Sequence, residues 1–181
     1  GFISYNNMKQ IKVAGIIIKT HDIFEKDKIV EIFSEQYGRY RLLAKGANSS
    51  KYKYCGRIEI PNHVNFIVYK GNSFNIIQQS DLICSFIKIR EDYNKISLLF
   101  HFFDIIRKAT VLNQKNNNLF ELLLSTIKIL DQENNIKEIR SSFYFQFLKN
   151  EGIFLGENTD VNLERFKRKF KFYCGEEIYD P

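Results

Sequence analysis

Between Arg39 and Arg57 the chain carries Arg39, Arg41, Lys45, Lys51, Lys53 and Arg57 without one carboxylate, and Tyr40, Tyr52 and Tyr54 lie among them. Cations interleaved with aromatic rings suit single-stranded nucleic acid. The cations neutralise phosphates, and the ring faces accept unstacked bases at about 1–3 kcal/mol per base. Tyr40 reads better as core, whereas Tyr52 and Tyr54 fit base stacking and half-buried loop anchoring equally well. If each of the six cations neutralises one phosphate, log K falls against log salt with a slope of about −4 for single strands, roughly a 300-fold loss between about 50 and 200 mM.

Other residues that could do chemistry are sparse. His21, Asp22, Glu25 and Asp27 could gather round a divalent cation, as a metal-dependent nuclease would need. The same residues suit a polar connection between strands, and that is the reading adopted. Cys55, Cys84 and Cys174 are far apart and form no CxxC, so no zinc knuckle is expected; Cys84, which follows Leu82-Ile83 and precedes Phe86, reads as a buried structural thiol. No GxxxxGK[ST] loop and no GxGxxG is present, so nucleotide hydrolysis and dinucleotide redox chemistry lack their phosphate cradles. The expectation is a protein without catalytic residues, bound metal or cofactor.

The charge asymmetry is a property of the whole chain. Its 181 residues hold 27 basic and 21 acidic groups, a net charge of +6. Residues 1–57 carry eleven basic and five acidic groups, residues 58–164 eleven and thirteen, and residues 165–181 five and three. Codon bias towards lysine would spread cations evenly, so it does not produce this pattern. An apolar fraction of 44% excludes a disordered chain, and two prolines with nine glycines exclude a collagen-like one. No apolar run is long enough to span a membrane, no secretory signal is visible, and three cysteines do not make a disulfide framework. The setting expected from this is cytoplasmic.

These residues need elements to position them. The first seven, ahead of Met8, are set aside as a processing or cloning remnant. Strands are predicted over Ile11–Lys19, Lys28–Phe33, Arg39–Lys45, Arg57–Ile60 and His63–Lys70, with Gly71-Asn72 as a two-residue hairpin turn into Ser73–Gln79. Period-two alternation puts Tyr40, Leu42 and Ala44 on one face of the third strand, with Arg39, Arg41 and Lys45 in a row on the other, a phosphate track. The texture changes at Asp81. Tyr93, Ile96, Leu99, Phe100, Phe103 and Ile106 recur at helical spacing, as do Leu119, Leu122, Leu123, Ile127 and Leu130, and then Ile136, Ile139, Phe143 and Phe147. Arg165–Phe172 reads as a helix docked through Phe166 and Phe170, in preference to a second nucleic-acid contact. The predicted architecture is α+β: an OB-type (oligonucleotide/oligosaccharide-binding) β-barrel over residues 8–80, then an all-helical domain over 81–181 with a basic carboxy-terminal segment.

Glu25-Lys26-Asp27-Lys28-Ile29-Val30, Phe33-Ser34, Gly38-Arg39 and Ala44-Lys45-Gly46-Ala47, in this order and spacing, resemble the amino-terminal domain of the RecO recombination mediators. Asn75–Leu82 looks like that family's last barrel strand, and Phe143–Gly152 like one of its later helices. The resemblance covers about residues 10–155. It implies an OB barrel followed by helices and non-catalytic work in DNA repair and recombination: binding single- and double-stranded DNA, annealing complementary strands coated by single-strand-binding protein, and loading RecA together with RecR. It also implies contact with the acidic, hydrophobic carboxy-terminal tail of the single-strand-binding protein. Arg39 and Lys45 are DNA-contact positions by this match, and Arg41, Lys51, Lys53 and Arg57 by the charge window. Many relatives carry a four-cysteine zinc module, of which only Cys174-Gly175 has a counterpart here, so no structural zinc is expected. The chain is also short for the family, through loss of the module or truncation. A different class of reading makes the basic window a receptor for an acidic peptide, with DNA contact incidental.

Overall fold

The computed structural model describes residues 9–51, 56–153 and 155–181. The chain divides into two units, residues 1–85 and 86–181. The first is a closed five-stranded barrel, ordered β1-β2-β3-β5-β4, built from β1 (Gln10–Ile23), β2 (Asp27–Ser34), β3 (Gly38–Ala44), β4 (His63–Lys70) and β5 (Asn75–Cys84). Its arrangement is of the OB type. β1 serves two partners: its first half pairs with β4 and its second half with β2. An irregularity between Ile17 and Lys19 supplies the bend. Gly15 lies at this crowded turn of the strand, where a Cβ would sit 2.9 Å from Ile32 Cδ1 and 3.0 Å from the Phe33 carbonyl oxygen.

Closure follows from the register. Crossing from His21 through Ile29, Leu43, Ile76 and Tyr69 leads back to β1 at Gln10, eleven residues earlier on the same strand. Such a stagger tilts the strands steeply and leaves an interior that side chains fill. Val13, Ile17, Val30, Ile32, Tyr40, Leu42, Ala44, Val64, Phe66, Val68 and Ile77 fill it, with Ile58 from the connection to β4. Tyr40, Leu42 and Ala44 thus face inward, as alternation predicts.

Two strand expectations are corrected. Arg57–Ile60 is turn and bend rather than strand. The amide of buried Asn62 donates to the carbonyls of Gly56 (2.8 Å) and Arg57 (3.0 Å), and Pro61 has no N–H to offer a ladder. The β4–β5 connection is four residues, 71–74, because Lys70 pairs with Asn75. Gly71 N–H closes it on the Phe74 carbonyl at 2.9 Å. β5 continues past Gln79 to Cys84, since β4 offers partners back to His63.

The second unit holds α1 (Ile87–Glu91), α2 (Tyr93–Ala109), α3 (Asn117–Gln132), α4 (Ile136–Asn150) and α5 (Leu163–Cys174). Side chains of Asp92, Asn116 and Asn162 accept backbone N–H groups in the first turns of α2, α3 and α5. Stacked rings form the core: Phe102 on Phe143 at 4.0 Å, Tyr144 on Phe166 at 4.1 Å, and Phe166 against Phe170 at 5.5 Å. Phe166 and Phe170 are fully buried, so α5 is docked as expected. The buried face of α2 holds the predicted Leu99, Phe103 and Ile106 and extends to Leu98, Phe102 and Ile105, whereas Tyr93 is 82% and Phe100 49% exposed. Among the described residues no helix is long and apolar enough to cross a membrane.

Candidate nucleic-acid interface

Strand pairing brings three connections to one end of the barrel. Lys28 pairs with Ala44, Leu43 with Ile76, and Asn75 with Lys70, so the β1–β2 turn, the loop that leaves β3 and the β4–β5 turn are neighbours. Hydrogen bonds join the first two. Gly46 N–H donates to Asp27 Oδ1 (2.8 Å), Asn48 N–H to the Lys26 carbonyl (2.9 Å), and Asn48 Nδ2 to Asp22 Oδ1 (3.0 Å). Gly46 has φ 74°, a conformation that favours glycine. Aromatic contact joins the first and third: Phe24 meets Phe74 edge-on, ring centroids 6.1 Å apart and planes at 81°.

Phe24 is held at φ 55° with 70% of its surface in water. An aromatic residue in left-handed backbone, pushed into solvent and supported by a second ring, is a preformed platform for a flat apolar ligand. Exposed Lys26, Lys45 and Lys51 lie on the two joined loops beside it. Lys28 is bound to Asp22 at 2.7 Å. That hydrogen bond, with that from Asn48, holds the Asp22 carboxyl below its ordinary range. Asp22 and Asp27 therefore tie loops together, and among the described residues no group of three His, Cys, Asp or Glu side chains is placed to hold a metal.

The predicted cation row divides. Arg39 and Arg41 do share a face of β3, but that face is not open: Arg39 is 9% exposed, and Leu43 is buried as well. The charge there is taken up by Glu31, which pairs with Arg41 across the β2–β3 ladder and is itself 3% exposed. Arg39 NH1 donates to Glu31 Oε1 at 2.7 Å and Arg41 Nε to Oε2 at 3.2 Å. Burial alone would raise the Glu31 carboxyl; the hydrogen bonds and charges of Arg39, then of Arg41, outweigh it and hold the group below its ordinary range. A window without carboxylates along the chain thus acquires one in space. Arg57 points elsewhere, donating to the Ser80 carbonyl at 3.1 Å. Tyr52, Lys53, Tyr54 and Cys55 lie outside the described residues; Cys84 is half-buried rather than buried.

Lys45 and Lys51 therefore lie on the loop that Gly46 and Asn48 bond to the turn of Phe24 and Lys26, and Arg39 and Arg57 lie away from it. Phe24 and Phe74 escaped the sequence reading. Their signal was a single aromatic residue inside each of two short connections without other large apolar side chains, Phe24-Glu25-Lys26 and Gly71-Asn72-Ser73-Phe74.

The helical unit holds a polar pair that was also missed. His101 Nε2 and the Tyr144 hydroxyl lie 2.5 Å apart, both residues buried. Desolvation pulls the imidazole down to about 4 and pushes the phenol up. Nε2 of the neutral ring accepts the hydrogen bond of the Tyr144 hydroxyl, a structural bond between α2 and α4.

Comparison with known proteins bears on both units. The family model described as Recombination protein O N terminal matches residues 8–86, and Recombination protein O C terminal matches residues 90–175. The chain is 34% identical over 116 residues to the DNA repair protein RecO of Bacillus cytotoxicus, covering 64% of this chain and 47% of that protein. To the DNA repair protein RecO of Acetivibrio thermocellus it is 30% identical over 125 residues, covering 69% and 50%. The chain spans about half the length of the curated relatives it matches.

Proposed function

The chain belongs to the recombination protein O family, and on that premise we propose that it is a non-catalytic mediator of DNA repair and recombination. In this reading it binds single- and double-stranded DNA and anneals complementary strands coated by single-strand-binding protein. It works with RecR in loading RecA and contacts the tail of the coating protein. The observation that carries the DNA-binding part is the loop end of the barrel, where the turn of Lys26 and the exposed Phe24 ring, in contact with Phe74, is bonded to the loop that carries Lys45 and Lys51. OB barrels bind oligonucleotides with strands 2–3 and the adjoining loops. Here the outer side of β2 and β3 is closed at Ile29, Glu31, Phe33, Arg39 and Leu43, which leaves the loops as the available surface. The lysines neutralise phosphates, and a base unstacked from the strand lies on Phe24.

The exposed cations on the joined loops are Lys26, Lys45 and Lys51. Three phosphates neutralised give a salt slope of about −2 for single strands, shallower than six would give. In Lys45→Gln/Lys51→Gln the slope should flatten by about 1.4, and annealing of coated complementary oligonucleotides should slow in the presence of chelator. An unchanged slope would remove the loop end from the contact surface. Failure of the unmodified chain to accelerate annealing would leave a DNA-binding domain without mediator activity.

A further inference from the structure

α5 has more to it than its docked face. Phe166 and Phe170 are fully buried and complete its anchor, yet the next turn presents Phe172 with 95% of its surface in water. Arg165, Arg168, Lys169 and Phe172 follow one another at i, i+3 and i+4 spacing, so they share one helix face, and together they line a single shallow concavity. Lys167 binds Asp180, and Lys171 binds Glu177 at 2.9 Å. Arg165 is fixed by neutral acceptors, the carbonyls of Leu155, Asn158 and Asp160, so its charge is oriented without being cancelled. Residues 165–175 hold five basic and no acidic groups, whereas the rest of the helical unit holds ten basic and fourteen acidic. The positive potential of this unit is therefore concentrated on one helix.

We propose that this face of α5 is a second contact for single-stranded nucleic acid, with Phe172 stacking on a base while Arg168 and Lys169 neutralise flanking phosphates. The inference rests on the reading of the chain as a DNA-binding protein. A lipid surface fits the face less well, because a helix lying in a bilayer needs a continuous apolar stripe, and the phenylalanines that would make one point into the core. One exposed ring set among cations is the pattern that stacks bases.

The test uses the full chain and a single-stranded oligonucleotide carrying 5-iodouracil, irradiated and mapped by mass spectrometry. A cross-link in the tryptic segment that starts at Phe172 is expected, and it should vanish in Phe172→Ala, whose exposed position leaves the thermal midpoint unchanged. In a Lys45→Gln/Lys51→Gln background, Phe172→Ala should weaken the residual binding about fivefold or more, and Arg168→Gln/Lys169→Gln should flatten its salt slope. If the unmodified chain binds and the barrel variant weakens it, while the α5 variants change neither cross-link nor slope, the second contact is wrong and the DNA-binding reading stands. If the unmodified chain binds no oligonucleotide, both fall. Phe172-dependent sedimentation with phosphatidylglycerol vesicles, without any effect on oligonucleotide binding, would reassign the face to lipid and overturn the proposal.

Discussion

His101 is a titratable ring placed where water does not reach, 5% exposed and bonded to the Tyr144 hydroxyl. Burial is the main force on it, with the Tyr179 backbone and the carboxylates of Asp104 and Asp180 opposing and Arg140 assisting; the balance brings it to about 4. The unfolded ring titrates near 6.5. Between these values the unfolded chain binds a proton that the folded chain does not, so stability rises with pH across the window and is lost as pH falls from about 6.5 towards 4. The full effect is on the order of 3 kcal/mol. A urea-unfolding series from pH 7.5 to pH 4.5 should show this loss in the helical unit. His101→Phe should start lower at pH 7.5, since it leaves the buried Tyr144 hydroxyl without its acceptor, at a cost of about 1–3 kcal/mol. Its pH dependence over the window should be flatter; an equally steep profile would mean that other groups carry it.

At the scale of elements, α5 is held at its start by Asn162, whose side chain accepts the Arg165 N–H at 2.9 Å. Asn162→Ala removes this cap at a cost of about 1 kcal/mol, or a thermal midpoint lower by about 2–4 °C for a chain of this size. Asn162→Asp should restore it, because a carboxylate accepts the same bond and suits the positive end of the helix. If the two substitutions melt alike, the cap contributes nothing. The alternation of Tyr40, Leu42 and Ala44 and the docking of Phe166 and Phe170 were legible because pleat and helical turn impose fixed periods. Where the reading failed, the missing quantity was three-dimensional. Glu31 meets Arg39 and Arg41 through the β2–β3 register. Helical spacing placed α2 and its buried Leu99, Phe103 and Ile106, but not the edge of the buried face, which takes in Leu98, Phe102 and Ile105 and leaves Tyr93 and Phe100 outside. The left-handed backbone of Phe24, which turns its ring to solvent, has no signature in residue type.

For the molecule as a whole, annealing requires two polyanions to approach. One basic surface can do this by lowering repulsion, or two surfaces on one molecule can hold a strand each. The two contacts proposed above fit the second route. Residues 1–85 carry twelve basic and seven acidic groups, and residues 86–181 fifteen and fourteen, the excess there confined to α5. Bridging has a signature in mass action. It needs a molecule with one strand bound and its other contact empty, so the rate should rise with protein and then fall once every strand carries molecules of its own. Screening by a single surface gives a plateau instead. Stopped-flow energy transfer between labelled, complementary, uncoated oligonucleotides, in chelator and at low salt, should therefore trace a bell against protein concentration. Phe172→Ala/Arg168→Gln and Lys45→Gln/Lys51→Gln should each convert the bell into a slower plateau, since either removes one arm of the bridge. A plateau with the unmodified chain would assign annealing to screening at one surface, and the two variants would then slow it only in proportion to the phosphates they no longer neutralise.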